Sequence, residues 1–159
     1  MRPTALPDDA GLITAPSVKQ LTAPAWRRLA ELAEGGATVF VSYFAGPHSI
    51  QRGPWYADLD GLFGVRHRLV YGIADPVEGD QLELEFVGGI DASTRLEFAV
   101  GGSRDARSFL PVDAIDATVV AVDRAGRPAL LSRALGRGRV VFATFPLEFS
   151  AVAAPARQS

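Results

Sequence analysis

The chain has 159 residues, 48% of them hydrophobic and 21% charged, a balance that suits one globular domain with its own core and excludes wholesale disorder. Lys plus Arg number 16 against 18 Asp plus Glu, with no basic run, so neither nucleic acid nor an anionic membrane surface is an expected partner. There is no cysteine, which removes disulfides, thiolate metal sites and a cysteine nucleophile together.

Residues 1–10 carry Pro3, Pro7, Asp8 and Asp9 without an apolar run, which predicts a flexible amino terminus, no secretory signal and a cytoplasmic protein. No stretch is long enough to span a membrane. Residues 11–17 read as a short strand leaving into a loop. A helix then opens at residues 21–26 with Thr22 as N-cap and Pro24 in the first turn, where its missing N–H costs little. Trp26, Leu29, Ala30 and Ala33 make its apolar stripe, Arg27, Arg28, Glu31 and Glu34 take the other face, and Gly35-Gly36 ends it. Residues 37–44, Ala-Thr-Val-Phe-Val-Ser-Tyr-Phe, are a continuous apolar run of the kind buried on both faces of a parallel sheet, which completes a βαβ unit.

Residues 45–57 form a polar and aromatic loop at the carboxyl end of that strand, where doubly wound sheets place their crevices. Asp58 is expected to cap a short helix through Leu62 and Phe63 that Gly64 terminates, followed by a strand-like stretch over 65–70. Residues 81–86 and 95–100 alternate polar with apolar and predict an antiparallel side hairpin. Residues 117–122, 129–133 and 140–145, separated by the turns at 123–127 and 136–138, predict a three-stranded meander. The Ala-rich tail 149–159 lacks caps and is expected to fray.

Candidate chemistry is sparse. His48 and His67 lie 19 residues apart with no carboxylate at metal-binding spacing, so no metal site and no cofactor are expected. His48 sits in the crevice loop and is a candidate ligand donor, whereas His67 reads as a structural residue without an evident partner. Ser42 stands near the end of the buried strand, but Val41, Tyr43 and Phe44 are too bulky for a nucleophile elbow. Glu83, Glu85 and Glu97 fall on a solvated strand face, and Asp58 and Asp60 suit the start of a helix. What remains is the loop: Gln51, Arg52, Trp55 and Tyr56 combine the residue types used by protein interfaces and sugar sites, and Glu148 after the last strand can reach the same crevice. Trp55 and Tyr56 serve equally well as a lid folded onto the core.

Residues 15–26 (Ala-Pro-Ser-Val-Lys-Gln-Leu-Thr-Ala-Pro-Ala-Trp), 35–44 (Gly-Gly-Ala-Thr-Val-Phe-Val-Ser-Tyr-Phe) and 53–59 (Gly-Pro-Trp-Tyr-Ala-Asp-Leu) together resemble the trimerisation domain of family 42 β-galactosidases. They are equally similar to the related domain of some bacterial family 5 enzymes of β-mannosidase type. Residues 126–130 and 136–142 extend the resemblance, which covers roughly residues 11–148. It implies an α/β fold of flavodoxin-like, class I glutamine amidotransferase-like type, a sheet flanked by helices that lacks the catalytic cysteine. It also implies that catalysis belongs to a separate (β/α)₈ barrel with two glutamates, for which this chain has no room. The family domain begins with a further strand and helix that have no counterpart before Gly11, so an N-terminally truncated piece or a single-domain relative is expected.

The expected function is therefore a non-catalytic assembly domain that packs against a glycoside hydrolase barrel and against copies of itself, as a trimer in that family. The alternative is a free-standing α/β protein that binds carbohydrate or another small molecule through the crevice loop. A hydrolase using Ser42 or Glu148 comes third.

Overall fold

A computed structural model describes residues 9–16, 21–42, 59–68, 75–76, 81–88, 93–99, 108–145 and 147. It shows a mixed α/β fold whose core is one curled seven-stranded sheet. β1 (Leu12–Ala15) runs into α1 (Ala23–Glu34), which returns the chain to β2 (Thr38–Ser42), parallel to β1 with Leu12 opposite Thr38 and Ala15 opposite Val41. The βαβ unit is thus present, with the short first strand that the pattern implied.

The ends of α1 follow from local chemistry. The Thr22 side chain accepts a hydrogen bond from the Ala25 N–H at 3.4 Å, Pro24 occupies the first turn, and Gly35 closes the helix by donating to the Glu31 carbonyl at 2.9 Å. Trp26, Leu29, Leu32 and Ala33 are buried. Leu32 thus belongs to the covered face, while Ala30 is half-buried at its margin, because the helix lies across a broad curved sheet and needs a stripe wider than four positions.

β11 (Gly138–Ala143) lies on the other side of β2, also parallel to it, with Val140 opposite Val39 and Ala143 opposite Ser42. The expected meander continues outward from there: β10 (Pro128–Leu135) and β9 (Thr118–Asp123) are antiparallel neighbours, with a register shift between Pro128 and Leu131. The hairpin of β5 (Gln81–Phe86) and β6 (Arg95–Ala99) forms as its alternation predicts, with Leu84 opposite Leu96. It is not a separate side sheet. β5 bonds to β9, so the hairpin extends the main sheet to the order β1-β2-β11-β10-β9-β5-β6. The unpaired side of β9 offered a ladder of donors and acceptors, and β5 satisfies it.

The other elements are short. α2 (Leu59–Phe63) leads through Gly64 into β3 (Val65–His67), which pairs with β8 (Val112–Ala114), and β4 (Asp75–Pro76) pairs with β7 (Ser108–Phe109). α1 and α2 share one core with the central strands. In it Phe63 stacks on Phe142 at 4.2 Å between ring centroids and meets Trp26 edge-on at 5.8 Å. Such pairs add about 0.5–1.5 kcal/mol beyond the area they bury. A second cluster holds Leu82, Leu84, Phe109, Ala129 and Phe145, with Leu147 packed against it. Val39 and Val41 of β2 are buried, but Thr38 and Phe40 are only half-covered. The two-sided burial expected for this strand is therefore complete on one face alone.

Two buried polar groups are satisfied locally. Asp123 Oδ1 accepts from the backbone N–H groups of Ala125 and Arg127 at 3.0 and 2.7 Å, and Oδ2 accepts from Arg127 Nε at 2.6 Å. Arg127 in turn covers the Phe109 ring at 4.6 Å, so the β9–β10 hairpin is tied to the second cluster. The buried Thr144 hydroxyl donates to the Pro128 carbonyl at 2.7 Å.

Candidate functional site

The parallel strands β1, β2 and β11 end at Ala15, Ser42 and Ala143, and that edge is where an α/β sheet offers a crevice. Residues 43–58 leave from Ser42 and re-enter the described chain at Leu59, the start of α2. His48, Gln51, Arg52, Trp55 and Tyr56 all fall within this segment and lie outside the described residues, as does Glu148. Tyr43, Phe44 and the Asp58 cap also lie outside them. Leu147, beside Glu148, packs on the second cluster.

Both described ends of the segment are anchored. Ser42 is fully buried, opposite Ala143. A hydroxyl enclosed in this way is closed to solvent. At the other end Leu62 and Phe63 enter the core, and the Phe63–Phe142 stack fixes α2 against β11.

His67 has a partner that its sequence context hid. Its Nδ1 lies 2.6 Å from Asp60 Oδ1, with the His67 side chain 9% exposed and that of Asp60 43% exposed. The imidazole also meets the Phe142 ring edge-on at 6.1 Å. Asp60 stands in the first turn of α2, as expected for a carboxylate favoured by the helix dipole, but it also clamps that turn to β3. A histidine held by an aspartate can orient a proton in catalysis. Here the acid is the more open member and the imidazole is packed into the wall, an arrangement suited to fixing α2.

The glutamates of the hairpin form a charged face, as their alternation predicts, yet each is engaged. Glu83 accepts from Arg124 Nε at 2.6 Å, Glu85 lies 3.1 Å from Arg95, and Glu97 lies 3.7 Å from Arg124. The hydrogen bond with Glu83, reinforced by its charge, raises the Arg124 guanidinium above its ordinary pKa. Among the described residues no group of three or more His, Asp or Glu side chains is placed to hold a metal ion. None of the described helices is long and apolar enough to cross a membrane.

No family model and no curated protein matches the sequence. The fold does match solved structures. A GH42 β-galactosidase from G. stearothermophilus superimposes with a TM-score of 0.62 at 21% identity, over 84% of this chain and 19% of the enzyme. The exo-β-1,4-mannosidase of Opitutaceae bacterium strain TAV5 gives 0.61 at 16% identity, over 89% of this chain and 22% of the enzyme. A cytoplasmic protein from Salmonella typhimurium gives 0.57 at 13% identity, over 90% of this chain and 65% of that protein. At these identities the likeness is one of fold. The α/β fold of this chain is similar to a domain-sized part of family 42 β-galactosidases and of a β-mannosidase, and the chain spans about a fifth of the length of those enzymes.

Proposed function

We propose that the chain is a non-catalytic assembly domain of a carbohydrate-degrading glycoside hydrolase of β-galactosidase or β-mannosidase type. The observation that carries this reading is the asymmetry of the fold match: nearly all of this chain is used, against 19% to 22% of each enzyme. A (β/α)₈ barrel takes about 250 residues, more than the 159 here, so the catalytic unit of such an enzyme lies elsewhere. In this reading the fold is of flavodoxin-like, class I amidotransferase-like type, built on the parallel β1-α1-β2 unit with β11 as its third parallel strand. The protein works in the cytoplasm, and its partners are copies of itself and a barrel. The loop carrying His48, Gln51, Arg52, Trp55 and Tyr56, together with Glu148, supplies the contact surface.

Two measurements test this. Light scattering on the purified chain reads self-association. Pull-down of a glycoside hydrolase barrel encoded beside it, or in frame with it, reads docking. A chain that stays monomeric and captures no barrel sinks the proposal. The second reading is a free-standing binding protein, and the match over 65% of the Salmonella protein supports only its free-standing part, the same fold in a chain not much longer than this one. It predicts a monomer that binds a sugar or small molecule in calorimetry and ignores barrels.

A further inference from the structure

We draw no further inference here: the strongest candidate, the face of the seven-stranded sheet turned away from α1 and α2, where the exposed Leu12 and Thr14 of β1 stand beside the half-covered Thr38 and Phe40 of β2, carries none because nothing in the structure shows what covers it.

Discussion

The Asp60 carboxylate lies 2.6 Å from Nδ1 of His67, joining the first turn of α2 to β3 across the turn at Gly64. With the imidazole almost covered and the carboxylate partly open, the pair should contribute at the lower end of the range for bonds to a charged group, about 1.5 kcal/mol. A double-mutant cycle on Asp60→Ala and His67→Ala, read by urea denaturation, should show coupling of about that size. Additive losses would mean that the two side chains are merely adjacent.

Leu29 is 5% exposed on the face of α1 that covers the sheet. Leu29→Ala should cost about 2–5 kcal/mol, because the lost burial is joined by a cavity in the cluster that also holds Trp26 and Val39, which ordinarily relaxes only in part. A denaturation midpoint that does not move would place this residue outside the core.

Gly138 and Gly126 both serve turns of the meander, but for different reasons. A Cβ at Gly138 would run into the carbonyl oxygens of Ala37 and Ala33 and sit 2.7 Å from the Gly36 carbonyl carbon, because the β10–β11 turn lies directly on the end of α1. Gly126 has φ +76° and open space around it. Gly138→Ala should therefore destabilise by about 3 kcal/mol or more, and Gly126→Ala by only about 1–2 kcal/mol of backbone strain. Thermal melts of the two variants check the order, and equal losses would contradict the close approach.

These variants mark what the sequence makes legible. The start and end of α1 are written in Thr22, Pro24 and Gly35, all acting within one turn, and the β5–β6 hairpin is written in its alternation. The Asp60–His67 contact depends on the reversal at Gly64 and on β8 holding β3 in place, and Val112–Ala114 is too short to announce itself as a strand. The position of β11 was half visible. Val140, Val141 and Phe142 have the continuous apolar character of β2, a sign of a central strand, yet the glycine turn before them points only to β10. Which strand lies on the far side is a long-range choice that local periodicity does not encode.

Trp55 tests the assembly proposal from the side of the crevice loop, outside the described residues. If it anchors an interface, Trp55→Ala should weaken self-association or barrel docking by about 2 kcal/mol or more with the fold intact. A large loss of helical signal would instead identify it as a lid on the core.

The final prediction is that the isolated chain does not hydrolyse nitrophenyl galactosides, mannosides or glucosides above a buffer blank. Glycoside hydrolysis ordinarily uses two carboxyl groups about 5–9.5 Å apart across a pocket. The hairpin glutamates Glu83, Glu85 and Glu97 are instead engaged with Arg95 and Arg124 on a strand face, Glu31 lies beside Arg28 on α1, Asp123 is consumed by its own hairpin, and Asp60 is bonded to His67. A serine mechanism needs an exposed hydroxyl with a base beside it, but Ser42 is fully buried opposite Ala143. The assay should include Ser42→Ala and Glu148→Gln, the latter because Glu148 follows the last strand in sequence and is the carboxylate that the sequence nominates for the crevice. Turnover that survives purification and disappears with either substitution would make the chain an enzyme, since a contaminant does not respond to a point change in this sequence.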